Sequence, residues 1–338
     1  MRKSLTILAI CAAMGMTALV PSSALAIGTE SGSAFPAWRL TWQSPGAGLK
    51  SVIAISKDDA WAVGINSHAN GYILHWNGHR WRHAGLPAVG FIPLTVRASS
   101  ATNVWVLGDY AGSFAAERWD GSRWHQITLP DGAGSGAVIL NAKDAWLAEP
   151  SCQAAMCQLY HWHRSTWTEI ALPPHFTLES LSGSSDTNIW AAGYLSRSAG
   201  SGPVGAYRWT GRSWVRARLP RLGQGATAEV VAVSPRNVWV VNTWIWYPRP
   251  AHWNGENWIS VPRPSHALNA ADPVVPYGQY GIRVGATSIW TGHRWLFGAA
   301  PGDGANAELA AIPGTSAAWM ATAWFLNGAL TAEILHSP

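Results

Sequence analysis

Tyr72-Ile-Leu-His-Trp76-Asn-Gly-His-Arg-Trp81-Arg-His-Ala-Gly-Leu-Pro87 carries two tryptophans five residues apart and a proline six residues after the second. The same spacing returns at Trp119/Trp124/Pro130, Trp162/Trp167/Pro173, Trp209/Trp214/Pro220, Trp253/Trp258/Pro264 and Trp290/Trp295/Pro301. The first tryptophans of successive sets stand 43, 43, 47, 44 and 37 residues apart. Self-similarity at this period marks a stack of like units, each of which needs its neighbours to bury its apolar faces.

Upstream of the first set lie Ser51-Val-Ile-Ala-Ile-Ser56 and Asp59-Ala-Trp61-Ala-Val-Gly64. These short runs are rich in Val, Ile, Trp and Tyr and separated by Gly, Asn, Asp, Ser or Pro, so the unit reads as four consecutive strands, A to D. The strand B tryptophan recurs as Trp105, Trp146, Trp190, Trp239 and Trp319. Asn77-Gly78, Asp120-Gly121 and Asn254-Gly255 accept the positive φ of a tight two-residue hairpin between strands C and D. Thr210-Gly211 and Thr291-Gly292 keep the glycine, whereas His163-Arg164 breaks the pattern and predicts a longer or differently shaped turn. The closing proline ends strand D, where no ladder donor is needed.

Four-stranded units of this length, packed face to face around an axis, make a β-propeller. One buried indole removes roughly 150–250 Å² from water, a gross gain of about 4–6 kcal/mol. The 23 tryptophans therefore find a use as filler between blades. The expected fold is all-β, a seven-bladed propeller. Five blades span 49–87, 94–130, 136–173, 178–220 and 228–264, and a sixth with an aberrant first half around Tyr277 to Val284 spans about 266–301. The seventh has strands at Glu308–Ile312, Trp319–Trp324 and Thr331–His336 and then runs out of chain. Ala37–Gln43, ahead of Pro45, is expected to supply its missing strand and so close the ring without leaving a free sheet edge at the seam.

The Asp-Ala-Trp-Ala-Val-Gly and His-Trp-Asn-Gly-x-x-Trp motifs resemble those of secreted actinobacterial propeller-repeat proteins, and more distantly WD40, Kelch and galactose-oxidase-like propellers. The resemblance covers about residues 37–338. It implies the fold and no particular activity, since propellers host enzymes, lectins and scaffolds alike. The Gly-His/Trp-Asp pair of WD40, the Gly-Gly of Kelch, the sialidase Asp-box spacing and a galactose-oxidase copper set are all missing from this sequence.

Residues 1–26 read as an export signal: Arg2 and Lys3, an apolar stretch from Leu5 to Val20, and Ala24-Leu25-Ala26 as the cleavage site, with 27–36 a short segment before the single propeller domain at 37–338. Ile10 ahead of Cys11 excludes a lipoprotein cysteine, and no later stretch is long and apolar enough to span a bilayer. A secreted monomer is the expectation. Without Arg2 and Lys3 the chain carries 21 basic and 18 acidic side chains, with no basic run or patch, which argues against a nucleic-acid partner. Cys152 and Cys157 then form an even pair, read as a disulfide in an exported chain, with a metal or redox pair as the alternative.

The C–D turns are nearly uniform, while the B–C loops all differ, so the B–C face is the one free to bind. Blade three carries the cysteine loop there, blade four a Gly/Ser-rich insertion at 195–204, and blade five Trp244-Ile-Trp246-Tyr247-Pro-Arg249-Pro. Trp324 and Phe325 lie near the B–C turn of blade seven. Trp244, Trp246, Tyr247, Arg249, Trp324 and Phe325 are candidate ligand contacts, since rigid aromatics suit the apolar faces of sugar rings and also protein partners. Packing on the neighbouring blade is the competing reading for Trp244 and Trp246. Glu179, Glu229 and Glu308 lie near the starts of strands A and are expected at the channel mouth on the same face, as a cation site, an acid/base pair for glycan cleavage, or solvated strand ends. His75, His161 and His252 share one slot in three blades; His161 and His163 face one side of a strand but lack a third ligand. The reading favours a non-catalytic binder of an extracellular glycan or cell-envelope polymer, needing neither cofactor nor metal. A protein-interaction scaffold and a glycan-cleaving enzyme are the alternatives.

Overall fold

The computed structural model describes residues 35–338 except 132, 134–135, 142, 149–151, 154–157, 196–199, 245–248, 266–271, 302–306 and 327–328. The described residues form seven antiparallel sheets, each with a core of four strands, and no helix. Blade one comprises Ala47–Ser56, Asp59–Asn66, Gly71–Trp76 and Trp81–Ala84. Blade six, obscure in sequence, is built from Val274–Tyr277, Gly281–Val284, Ser288–Trp290 and Trp295–Phe297. Blade seven is completed from the amino-terminal side: Arg39–Pro45 pairs antiparallel with Ala329–Ser337, from Arg39 opposite His336 to Pro45 opposite Thr331. The closing strand thus starts two residues later than expected.

A tryptophan lock joins six of the seven blade interfaces. The strand B indole of one blade packs on the strand C or D indoles of the next, as Trp61 does with Trp119 and Trp124 at 6.2 and 6.1 Å, and Trp105 with Trp162 at 5.1 Å. Trp319 of blade seven meets Trp76 and Trp81 of blade one at 5.0 and 5.2 Å, which closes the circle. Trp105, Trp146, Trp239 and Trp319 are almost wholly buried. An Asx residue two positions earlier accepts the indole N–H in most blades: Asp59 from Trp61, Asn103 from Trp105, Asn188 from Trp190 and Asn237 from Trp239, at 2.9–3.2 Å. The repeated histidines are packed elements of the same device. His75 and His252 stack on Trp61 and Trp239 at 4.3 and 4.0 Å and bond to Asp59 and Asn237.

The interface between blades six and seven is the exception, because Arg283 stands in the tryptophan slot, opposite Ile289 just as Trp239 is opposite His252. Arg283 fills the gap. Its guanidinium is wholly buried, lies 4.7 Å from the Trp38 ring and 5.5 Å from Phe35, and donates to Ser337 Oγ at 2.8 Å. Burial lowers its pKa to about 10. One residue therefore grips both the segment that opens the ring and the strand that ends it.

The C–D turns depart from the two-residue hairpin expected of Asn-Gly. Positive φ falls on the glycine alone (Gly78, Gly121, Gly211, Gly255, Gly292), and the preceding side chain accepts backbone N–H groups, as Asn77 Oδ1 does from His79 and Arg80. Asx-turn chemistry replaces the mirror-image turn. Blade three has the tight form instead: His163 pairs with Thr166, and Arg164 and Ser165 both take positive φ, at 49° and 74°. Its turn is differently shaped but no longer.

Candidate functional site

The A strands enclose a central cavity of about 1270 Å³. Glu179, Glu229 and Glu308 all line it, together with Arg97. Register separates the three acids. Glu229 pairs with Val241 and Glu308 with Ala321, each two residues past the strand B tryptophan, the slot held by Ser51, Thr95 and Ser180 in other blades. Glu179 instead is the extra residue of a β-bulge between Leu178 and Ser180, matching Lys50 and Leu94 in blades one and two. The three acids thus occupy two registers, Glu229 and Glu308 in one and Glu179 in the other.

The bulge has a steric cause on the facing strand. Gly64, Gly108 and Gly193 sit beside the bulged segment, where an added Cβ would lie 2.2, 2.1 and 1.8 Å from the carbonyls of Gly48, Ile92 and Thr177. Blades five and seven carry Asn242 and Thr322 at this position, and their A strands run there without a register shift.

Blade five's carboxylate is held from the neighbouring blade. Ser180 Oγ donates to Glu229 Oε2 at 2.9 Å and accepts the Val230 N–H at 3.2 Å. Burial raises the Glu229 pKa to about 7, with Glu308 and Glu179 adding to the rise and Ser180 and Arg97 opposing it. Burial also raises Glu308, against the pull of Arg97. Arg97, from blade two, donates to Ser51 Oγ at 3.1 Å; burial lowers its pKa while Glu308 and Glu229 raise it. Near neutral pH the cavity therefore holds the guanidinium groups of Arg97 and Arg236, a Glu229 carboxyl balanced between its two forms, and two further acids. It can donate to and accept from a hydroxyl-rich ligand.

Trp244 lies two residues past the end of strand B of blade five (Asn237–Asn242), in the B–C loop. It is 51% exposed, the one tryptophan in the exposed class among the described residues. Thr243 Oγ1 donates to Thr227 Oγ1 at 3.1 Å, which ties its loop to the chain entering the strand of Glu229. The Trp244 N–H donates to Asn242 Oδ1 at 3.1 Å. Arg249, at the far end of the same loop, is half-buried. Trp246 and Tyr247 lie outside the described residues. The backbones of Trp324 and Phe325 pair with Thr331 and Leu330, and their side chains lie outside the description. Cys157 does too, so the expected disulfide falls there. Cys152-Gln153 forms a short strand against Leu178 and Thr177 of blade four. Residues 196–199 of the blade-four insertion also fall outside.

Sequence reasoning passed over two features. Arg97 occupies the slot opposite the strand B tryptophan, where other blades carry Ile53, Val138, Ser182, Val231 and Ala310. A lone cation among small and apolar residues was the available signal. A basic patch also exists: Arg216, Arg218 and Arg221 line a groove of about 520 Å³ on blade four. No acidic residue occurs from 187 to 228, so a scan for acid-free stretches rather than basic runs finds it.

No family model and no curated protein sequence matches the chain. Solved propellers do. YCF48 from Cyanidioschyzon merolae is 14% identical over 89% of this chain and 98% of its own, with a TM-score of 0.54. A YCF48 structure bound to D1 peptide is 15% identical over 89% and 97%, also at 0.54. A Mycobacterium tuberculosis puromycin-hydrolyzing peptidase is 12% identical over 86% of this chain and 50% of its own, at 0.58. At such identities the likeness is one of fold.

Proposed function

We propose that this propeller is an exported, non-catalytic binding protein that takes a neutral or amine-bearing glycan at the channel mouth on the B–C loop face. The observation that carries the reading is the half-exposed indole of Trp244 on the B–C loop of the blade that supplies Glu229 to the cavity, the one tryptophan in the exposed class among the described residues. A sugar ring stacks its C–H face on the indole, and its hydroxyls bond to Glu229, Glu308, Glu179 and Arg97. Export rests on the leader-like residues 1–26. The test is retention of the purified protein on a panel of soluble and insoluble polysaccharides, with Trp244→Ala as control. Retention lost in the variant supports the reading. Retention unchanged in the variant, or no retention of any polysaccharide, rejects it.

A second reading, a peptide ligand on the same face, is favoured by the YCF48 neighbour solved with D1 peptide. Binding of a peptide library with no sugar binding would select it. Reducing ends released by the wild type and not by Glu229→Gln would replace binding with cleavage, since a carboxyl with a pKa near 7 suits a general acid.

A further inference from the structure

We propose that Asp144, His161 and His163 form a zinc site on blade three, on the face of the disc opposite the B–C loops. Strand pairing assembles it. Asp144, the first residue of strand B (Asp144–Ala148), is directly opposite His163, the last of strand C (Leu159–His163). His161 lies two residues before His163, so the pleat turns both imidazoles to one side of the sheet.

Asp144 Oδ1 is 3.0 Å from His161 Nε2, and Oδ2 is 3.5 Å from His163 Nδ1. The three residues can each offer one donor atom such that all lie within 4.8 Å of one another; among the described residues no other group of three His, Cys, Asp or Glu does so. Donors at about 2.0–2.1 Å from a tetrahedral zinc are separated by roughly 3.3 Å. The two measured separations, each to a different carboxylate oxygen, lie on either side of that value, so side-chain rotations within the cluster let an ion enter. It replaces the protons between the rings and the carboxylate, and each imidazole then keeps its ring proton on the other nitrogen. A water completes the tetrahedron, because the half-exposed His163 opens the cluster to solvent.

The other blades supply the contrast. Blades one and five hold the same stacked histidine and Asx partner, and there the Asx oxygen also takes the indole N–H. In blade three alone among these, Trp146 Nε1 is buried without a partner, while Asp144 faces two imidazoles. The slot of His163 elsewhere holds the turn-capping Asn77, Asp120, Thr210, Asn254 or Thr291. Blade three gives up that cap and takes positive φ at Arg164 and Ser165 instead, which is strained for both. Two local losses accompany the one histidine that completes a ligand set.

The test is calorimetric titration of the full chain with ZnCl₂, repeated with Co²⁺ for the visible spectrum of a tetrahedral ion. The proposal expects a single equivalent bound by the wild type and by His75→Ala. In His163→Ala and Asp144→Asn, affinity falls by on the order of tenfold or more. His163 is exposed enough that its variant keeps the fold, which far-UV circular dichroism checks. Absence of zinc binding by the wild type, or equal binding by His163→Ala, overturns the proposal. So does a loss in His75→Ala as large as that in His163→Ala.

Discussion

Glu229→Gln is the substitution whose effect on stability follows most directly from the site. The variant keeps the shape and hydrogen-bonding reach of the side chain toward Ser180 but has no proton to lose. The wild-type carboxyl is raised from an ordinary value of 4.5 to about 7, chiefly by burial. Below pH 4.5 it is protonated in both the folded and the unfolded chain, and the two proteins are similar in stability. Between pH 4.5 and 7 the unfolded chain has released the proton while the folded chain still holds it, so wild-type stability falls as pH rises. Above pH 7 the full penalty is in place, on the order of 3 kcal/mol, and channel water that screens the carboxylate makes this an upper bound. Guanidinium unfolding at pH 4, 6 and 8 checks this. The variant should gain on the wild type across that series, somewhat more between pH 4 and 6 than between pH 6 and 8. A difference between the two proteins that does not change with pH would refute the burial argument.

Other outcomes follow from the packing. Trp105→Ala, which removes a wholly buried interblade indole, should cost about 3–5 kcal/mol in chemical denaturation. Gly193→Ala places a Cβ 1.8 Å from the Thr177 carbonyl and should cost about 1–3 kcal/mol or more, whereas Gly85→Ala, with open space around it, should leave the melting temperature unchanged. Arg283→Met should stay within about 1.5 kcal/mol of the wild type, because a buried guanidinium without a carboxylate partner is replaced by an apolar chain of similar length. Arg283→Ala, which empties the seam, should melt well below both.

The ring was legible because each blade repeats the residues that lock it to the next. Trp61, Trp105 and Trp146 announce strand B, and the Trp-x₄-Trp-x₅-Pro pattern announces strands C and D. Blade six was obscure where the lock itself changes, with Arg283 in the place of the tryptophan. A residue that acts once leaves no periodic trace, and the seam shows this most clearly. The turns were placed correctly but for an incomplete reason: Asn77 and its counterparts cap the loop through their side chains, and only the glycine needs positive φ. At the site, position on strand A was enough to bring Glu179, Glu229 and Glu308 to one cavity. Their register was not readable, because the bulge that offsets Glu179 depends on close approach to Gly193 across the sheet. Asp144 escaped notice because it looks like any other Asx ahead of a strand B tryptophan; only pairing sets it opposite His163.

The central claim is that ligand occupies the channel mouth. Carbodiimide-driven amidation of carboxyls, read by peptide mass spectrometry with and without the retained polysaccharide, tests it most directly. The account predicts that bound ligand protects Glu179, Glu229 and Glu308 while labelling of Glu256 and Glu333 stays constant. Unchanged labelling of the three channel acids in a sample that demonstrably holds polysaccharide would contradict it.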